Sequence, residues 1–211
     1  MTPATWYFDF LSPFAYLQFT QFGKFATELD VTLKPVLFPG LLKHWGQLGP
    51  AEIPPKRRFV YRFFKWHADR RGVPFKMPPV HPFNPLPPLR LAVAAGATME
   101  SVRLIFSHLY GEGSQLDSDQ AIAGLGRKIG VHDAVARLSD QRVKDALRAN
   151  TEEAIAKGVF GVPTFIVEGE LFWGDDATEM LRDFLNDRKL FDNSEMTRLS
   201  TMPMGHTRSQ Q

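Results

Sequence analysis

Strand-like sequence occurs only near the two ends of this 211-residue chain, and that distribution constrains the fold more than any other feature. Residues 1–38 follow a strand, helix, strand pattern, whereas residues 39–150 carry apolar residues at helical spacing without a strand signal. Strand patterns return within residues 151–190. The sequence therefore predicts an α/β fold in which a large all-helical insertion separates two parts of one sheet-containing domain.

Local signals mark the elements of these segments. An apolar-periodic run predicts a first helix over residues 13–29, and Ser118 begins another helical run. The sequence GVPTFIVEGELFWG predicts a hairpin that turns at Glu168–Glu170, and we expect a last helix over about residues 176–186. Residues 191–211 are polar with little periodicity, so we expect a tail without regular structure.

Two stretches of the helical segment are unusual in composition. PFKMPPVHPFNPLPP, residues 74–88, has too many prolines for a regular helix and too many apolar residues for a solvated linker. We expect it to pack over another part of the protein. RRFVYRFFKWH, residues 57–67, has aromatic residues on more than one helix face. Such a helix usually supplies core, but it could also form the hydrophobic wall of a pocket for an aromatic substrate.

Composition excludes several functions. The chain has no Cys, so it cannot form disulfides, thiolate metal sites or a redox-active dithiol of its own. Its net charge of +2 comes from intermixed acidic and basic residues, which offer no extended field to nucleic acid or an anionic membrane. The histidines form neither an HExxH motif nor a His-Cys cluster, and we predict no metal site. The chain lacks a signal pattern and any apolar run of roughly 20 residues, so we expect a cytoplasmic protein.

The stretch FDFLSPFAYL, residues 8–17, changes from strand to helix character at Ser12 and Pro13. Helix capping is the simplest interpretation, because a serine Oγ accepts from an unpaired backbone N–H and proline suits the first helical turn. A nucleophilic serine is disfavoured, because Ser12 does not belong to a GxSxG turn. Helix capping is therefore the role that the local sequence favours for Ser12.

Three separated motifs together resemble the 2-hydroxychromene-2-carboxylate isomerase family. In chain order they are FDFLSPFAYL, PAEIPPKRRFVYRFFKWH and GVFGVPTFIVEGELFWGDD. That family is related to kappa-class glutathione transferases and, more distantly, to DsbA-type oxidoreductases. The resemblance extends from Thr5 to about Leu190. It implies a thioredoxin-like fold with a helical insertion, a homodimer, and glutathione as cofactor.

By this resemblance, Ser12 occupies the position at which redox members of the fold carry a reactive Cys. A helix N-terminus favours an anion, so Ser12 is implied to donate its O–H to the thiolate of bound glutathione. Val162 and Pro163, in GVPTF, are implied to form a cis peptide bond that faces the first helix, with the Val162 backbone pairing with glutathione. From sequence alone, the proline could equally mark a turn.

The same resemblance assigns the two ends of glutathione. Asp176, with Asp175 before it, aligns with the aspartate that binds the γ-glutamyl end, although ordinary helix capping would explain these acids as well. Ala177 follows where the family usually has arginine. Gln47 occupies a position where the family commonly has asparagine. Lys56 could pair with the glycine carboxylate of glutathione, or it could simply lie at a solvated helix start.

The activity implied by the resemblance is isomerisation of an aromatic carboxylate without net redox change. A ring-closed 2-hydroxychromene-2-carboxylate type would be converted to an open trans-o-hydroxybenzylidenepyruvate type, as in bacterial catabolism of naphthalene and related aromatics. Glutathione would add to the substrate reversibly and be regenerated. Two alternatives stay open: a kappa-like glutathione S-transferase, which would consume glutathione, and a non-catalytic thioredoxin-fold binding protein.

Overall fold

Residues 1–25 and 27–205 are described by a computed structural model, and strands from both ends of the chain meet there in one mixed sheet. The strands in this part of the chain are β1 (Thr2–Phe8), β2 (Leu29–Pro35), β3 (Thr164–Val167) and β4 (Glu170–Trp173). Their order is β2-β1-β3-β4, and β1 pairs parallel with β2 and antiparallel with β3. The divided α/β sheet expected from the sequence is therefore confirmed.

Helices surround and separate these strands. They are α1 (Pro13–Phe19), α2 (Phe38–Trp45), α3 (Pro54–Arg70), α4 (Leu86–Ala94), α5 (Met99–Phe106), α6 (Asp119–Lys128), α7 (Ala134–Arg137), α8 (Gln141–Ala156), α9 (Thr178–Asn186) and α10 (Ser194–Ser200). Short 3-10 helices cover Phe22–Phe25 and Pro50–Glu52, and a π-helical turn covers Ser107–Gly111. Helices α2 to α8 lie between β2 and β3 and form the predicted helical insertion.

Two predicted elements, the first helix and the C-terminal tail, differ in extent from the observed ones. The first helix ends at Phe19, where the Thr20 hydroxyl at its C-cap donates to the Leu17 carbonyl oxygen at 2.7 Å, and a separate 3-10 helix follows. Residue 26 of that predicted helix lies outside the described residues. The expected unstructured tail instead contains α10, and its last residues, 206–211, are also outside the described part.

The predicted caps and turns of two other elements agree with the structure. Ser118 is the N-cap of α6, and its Oγ accepts from the Ala121 backbone N–H at 3.2 Å. The hairpin between β3 and β4 turns at Glu168 and Gly169, whose φ values are 52° and 91°. Positive φ at both central residues is typical of the tightest hairpin turns.

Apolar side chains cover both faces of the sheet. Trp6 and Phe8 of β1 stack with ring centroids 4.5 Å apart and join the larger core, which includes Phe106 of α5. Tyr7 belongs to a second cluster with Leu41. This alternation is the period of two expected for a strand that is covered on both faces.

The proline-rich loop packs over the start of α1, as its composition predicted. Phe75 packs against the larger core, and the Pro74 carbonyl accepts from the Tyr16 hydroxyl at 2.6 Å. Farther along the loop, His81 Nε2 lies 2.8 Å from the Leu11 carbonyl oxygen. Regular helix resumes only at Leu86, where prolines occupy the first turn of α4.

Candidate active site

A cavity of about 990 Å³ lies where three parts of the protein meet: the start of α1, the helical insertion, and the loop of Gly161, Val162 and Pro163, called the GVP loop below. Its lining includes most of the site residues predicted from the sequence: Ser12, Gln47, Lys56, Val162, Asp175 and Asp176. Pro163 is buried and follows Val162 in the chain. The lining contains a polar group and an aromatic group of residues. The polar set is Ser12, Val162, Asp175 and Asp176, and the aromatic set is Phe14, Tyr61, Phe63, Phe64, His81 and Phe83.

Ser12 caps α1 and faces the GVP loop at the same time. Its Oγ accepts from the Ala15 backbone N–H at 3.3 Å and lies 3.4 Å from the Val162 carbonyl oxygen, to which its O–H can donate. The Val162–Pro163 peptide bond is cis. An O–H···O contact of 3.4 Å is long, so the hydroxyl proton remains available to a stronger acceptor at this position.

Asp175 is almost fully buried, with 2% of its surface exposed, and both of its carboxylate oxygens are paired. Arg71 Nη1 donates to Oδ1 at 2.8 Å, and His67 Nε2 lies 3.1 Å from Oδ2. His67 lies in the last turn of α3, and Arg71 is the C-cap of that helix, four residues farther on and on the same side. Asp175 therefore anchors the turn before α9 to the helical insertion.

Asp176 follows on the same turn but is exposed to the cavity. The N-cap of α9 is Ala177, which makes no side-chain capping bond, so ordinary helix capping does not account for this acidic pair. Buried Gln18 holds the turn against α1. Its Nε2 donates to the Gly174 carbonyl oxygen at 2.9 Å. The carboxylate of Asp176 is thus the acid of this turn that remains open to a ligand.

Gln47 and Lys56 come from the ends of two helices at the cavity rim. Gln47 follows Gly46, the C-cap of α2, whose φ of 64° suits glycine. Lys56 lies in the first turn of α3, and both side chains are exposed. Lys43 of α2 also lines the cavity. This rim offers an amide and two cations to an anionic group.

The predicted aromatic helix divides between core, cavity and surface. Phe64 is buried, and its ring meets that of Phe14 edge-to-face with centroids 4.7 Å apart. Tyr61 and Phe63 line the cavity, whereas Phe59 and Trp66 are exposed. Both interpretations of this run, as core and as a hydrophobic pocket wall, therefore apply to different residues of it.

Sequence reasoning missed Asp9, a buried acid three residues before Ser12. The Oδ1 of Asp9 accepts from the Leu11 backbone N–H, and its Oδ2 accepts from the Phe38 backbone N–H, both at 2.9 Å. Burial raises the pKa of Asp9 to about 7, and these two backbone hydrogen bonds only partly oppose that effect. Asp9 joins the loop before α1 to the start of α2. An acid inside an otherwise apolar run was the available signal.

Two further features concern the described residues as a whole. Within residues 1–25 and 27–205, no group of three or more His, Cys, Asp or Glu side chains could hold a metal ion. Over the same range, no helix has both the length and the apolar character needed to cross a membrane.

The fold and the cavity define a thioredoxin-fold protein with a helical insertion. Residues 5–186 match the family model described as DSBA-like thioredoxin domain, and the chain belongs to that family. It is 29% identical over 185 residues to a 2-hydroxychromene-2-carboxylate isomerase of Pseudomonas putida, covering 83% of this chain and 90% of that protein. It is 28% identical over 201 residues to glutathione S-transferase kappa 2 of Caenorhabditis elegans, covering 85% and 89% respectively.

A solved structure of a 2-hydroxychromene-2-carboxylate isomerase has the same fold. The TM-score is 0.77 at 23% sequence identity, and the match covers 94% of this chain and 97% of that one. The resemblance predicted from the three sequence motifs is therefore confirmed at the level of family and fold. The chain is related to both isomerases and kappa-class transferases.

Proposed function

We propose that this protein is a glutathione-dependent isomerase of 2-hydroxychromene-2-carboxylate-type aromatic acids. The observation that carries the proposal is the position of Ser12, at the start of α1 and 3.4 Å from the Val162 carbonyl oxygen, in a cavity that also contains the aromatic set. Relatives named as isomerases of this kind, at 25–29% identity, support the substrate class.

The polar set and the cavity rim fit the chemistry of glutathione. Glutathione has an ammonium and a carboxylate at one end, a second carboxylate at the other, and a thiol between them. Asp176 offers an acceptor for the ammonium, and Lys56 offers a cation for the glycine carboxylate. The Val162 backbone offers main-chain pairing to the cysteinyl residue, and Gln47 adds an amide at the rim.

Ser12 is proposed to stabilise a thiolate, not to attack the substrate. When bound, glutathione supplies a thiolate that adds reversibly to the C=C bond of the substrate and allows rotation about it. A free thiol of pKa about 8.5 is mostly protonated at neutral pH, so the site must favour the charged form. The O–H of Ser12 can stabilise the thiolate, because its acceptor within the protein, the Val162 carbonyl oxygen, lies 3.4 Å away and makes only a long hydrogen bond.

The aromatic set is proposed to hold the fused-ring substrate. The ring of Phe14 contacts those of Phe63 and Phe64, and such rings can pack edge-to-face or offset against another aromatic ring. Fixing the substrate beside the thiolate converts the addition into an effectively unimolecular step. A kappa-like transferase activity is the second candidate, favoured by the similarity to kappa-class enzymes at 28% identity.

One experiment separates these functions. The protein is mixed with 2-hydroxychromene-2-carboxylate with and without glutathione, and both the trans open product and total free glutathione are measured. The proposal expects trans product only with glutathione, and unchanged glutathione at the end. Consumption of glutathione would indicate a transferase. Binding of glutathione by calorimetry without any product would indicate a binding protein, and neither binding nor product would contradict the proposal.

We also propose a cytoplasmic homodimer, on the basis of the resemblance to the isomerase family. Light scattering at working concentrations should give twice the chain mass. A monomer mass would contradict the dimer without affecting the proposed chemistry.

A further inference from the structure

Tyr61 and His81 form a connected pair in the cavity that no step of the proposed thiolate chemistry uses. Both side chains line the cavity. The Tyr61 hydroxyl oxygen lies 2.7 Å from His81 Nδ1 and 2.8 Å from the His81 carbonyl oxygen. On the other side of the ring, His81 Nε2 lies 2.8 Å from the carbonyl oxygen of Leu11, the residue before Ser12.

The partners of this pair determine where its protons lie. A carbonyl oxygen can only accept, so His81 Nε2 carries the hydrogen that bonds to Leu11. In the neutral ring, Nδ1 then presents a lone pair to Tyr61. The single phenolic proton of Tyr61 lies between Nδ1 and the His81 carbonyl oxygen, and both acceptors belong to one residue. Tyr61 is therefore a hydroxyl with a base directly beside it.

The substrate class requires such a group for a step that the thiolate cannot perform. A 2-hydroxychromene-2-carboxylate is a cyclic hemiketal, and its ring opens only when the 2-hydroxyl loses a proton and the phenol oxygen gains one. We infer that Tyr61, supported by His81, is the proton-transfer residue for opening and closing this ring. The inference rests on the proposed function for its substrate, but the ring-opening step itself does not require glutathione.

The proposed step balances in protons and electrons. The proton of the 2-hydroxyl passes to Tyr61 Oη while the proton of Tyr61 passes to His81 Nδ1. The electron pair of the O–H bond forms the C2=O carbonyl, and the ring C2–O bond breaks with its pair on the phenol oxygen. His81 then returns its proton through Tyr61 to the phenolate. The protein ends in its starting state, and the substrate is the open cis isomer.

The test measures ring opening without glutathione. Exchange NMR follows interconversion of ring-closed 2-hydroxychromene-2-carboxylate and its open cis form, with and without protein. The protein should accelerate the exchange, and Tyr61→Phe should lower that acceleration by about 100-fold, because proton transfer by a positioned side chain typically contributes 10²–10⁴. Tyr7→Phe is the matched control, since the Tyr7 hydroxyl donates to Glu153 Oε1 at 2.8 Å and Tyr7 is not among the residues that line the cavity.

The role of His81 is tested by measuring the acceleration of ring opening as a function of pH. His81→Gln can keep a donor toward the Leu11 carbonyl but has no base beside Tyr61. In the unmodified protein, the acceleration of ring opening should fall on acidification as Nδ1 becomes protonated. Because burial lowers the pKa of His81, this fall should occur at a lower pH than for an ordinary histidine. This acid limb should be absent in His81→Gln.

Arg57, Tyr110 and Asp9 could also contribute to the pH profile of ring opening. Burial raises the pKa of Tyr61, whereas Arg57 on the same helix lowers it. Tyr110 interacts electrostatically with both Tyr61 and Asp9. Asp9 titrates near pH 7, so the acid limb must persist in Asp9→Asn if it belongs to His81.

The outcomes separate this inference from the proposed function. No acceleration by the unmodified protein, or equal acceleration by Tyr61→Phe, would overturn the relay even if glutathione-dependent trans product forms. Conversely, an open cis substrate whose phenol is methylated cannot cyclise and needs only the thiolate step. Tyr61→Phe keeps the aromatic ring of the cavity wall and lacks only the hydroxyl, so its rate on this substrate should fall far less than its rate on the ring-closed one. An equal fall on both substrates would also overturn the relay. Failure of the unmodified protein on that substrate would count against the proposed function instead.

Discussion

The polar set and the aromatic set line one cavity but are held in different ways. The polar set is fixed by directional contacts, such as the ion pair of Asp175 with Arg71 and the contact of Ser12 with the Val162 carbonyl. The aromatic set is fixed mainly by ring contacts, such as that of Phe14 with Phe64. One part of the cavity therefore suits a charged peptide and the other an aromatic acid. Substitutions should therefore separate the two binding functions.

The largest effect is expected where the polar set is joined to α3. Arg71→Met would leave Asp175, which is 2% exposed, with His67 as its remaining partner. Removing one partner of a buried ion pair typically costs about 3–5 kcal/mol, and we expect a loss of that size in the free energy of unfolding. Glutathione affinity should fall as well, because the turn that carries Asp176 loses its anchor. Denaturant unfolding and calorimetry measure the two effects.

The neighbouring arginine provides the control for this prediction. Arg70 lies over the exposed Trp66 ring, 5.1 Å from its centroid, so Arg70→Met should change stability by less than about 1 kcal/mol. Equal stability of the two variants would mean that the buried pair does not hold the turn.

Asp9 tests whether the loop before Ser12 is sensitive to pH. Its folded pKa of about 7 is above the ordinary value of 3.8 for an aspartate, so its contribution to stability is fully present below about pH 4 and lost as pH rises toward 7. At about 1.4 kcal/mol per pH unit, the loss is roughly 4 kcal/mol if Asp9 acts alone. Asp9→Asn should flatten this decline in the unfolding free energy.

Exposed Asp69, which pairs with Lys65 on the surface of α3, supplies a matched carboxylate. Asp69→Asn should leave the pH dependence between 4 and 7 as it is in the unmodified protein. If Asp9→Asn shows the same decline as Asp69→Asn, the titrating group is not Asp9.

Asp176 should affect glutathione without affecting the fold. Asp176→Asn keeps the shape of the side chain but removes a charge-assisted bond to the γ-glutamyl ammonium, so glutathione affinity should fall by about 1.5–3 kcal/mol. Because the side chain is exposed, the unfolding free energy should change little. Unchanged affinity by calorimetry would mean that the ammonium binds elsewhere.

The smallest expected effect concerns the aromatic set. Phe63→Leu keeps the apolar character of the cavity but removes a ring contact worth about 0.5–1.5 kcal/mol, so KM for the aromatic substrate should rise roughly two- to tenfold. Glutathione affinity should be unchanged. Phe59→Leu is the control, because the exposed Phe59 ring stacks on that of Phe63 with centroids 5.9 Å apart but is not among the residues that line the cavity. A loss of glutathione affinity in Phe63→Leu would contradict the division of the cavity into two sets.

Local signals in the sequence were sufficient for much of the fold. The Ser118 cap, the hairpin turn at Gly169 and the helical insertion depend on residues close together in the chain, where propensity and turn chemistry act directly. Ser12 at the junction of β1 and α1 was identified for the same reason. The predicted length of the first helix was wrong, because the apolar-periodic run continues past Phe19 as a separate 3-10 helix.

The parts of the site that sequence reasoning missed depend on contacts between distant residues. Arg71 and Asp175 are far apart in the chain, and neither has a local pattern that names the other as partner. His81 reaches Leu11 only because the proline-rich loop folds over α1. Whether Asp175 or Asp176 faces a ligand is likewise decided by tertiary packing, since the two are adjacent in sequence and differ only in burial.

The proposed role of Ser12 is to stabilise a glutathione thiolate. The most direct measurement is the pKa of the thiol of bound glutathione, followed by thiolate ultraviolet absorbance as pH is varied. In the unmodified protein we expect this pKa to lie below the ordinary value of about 8.5.

Ser12→Ala should raise the pKa of the bound thiol and leave glutathione affinity nearly unchanged. It should lower turnover by roughly ten- to a hundredfold, because a hydrogen bond to a charged group is lost. Ser118→Ala removes another helix-capping serine and should leave the thiol pKa unchanged. A thiol pKa that is the same in Ser12→Ala as in the unmodified protein, with full turnover, would contradict the account.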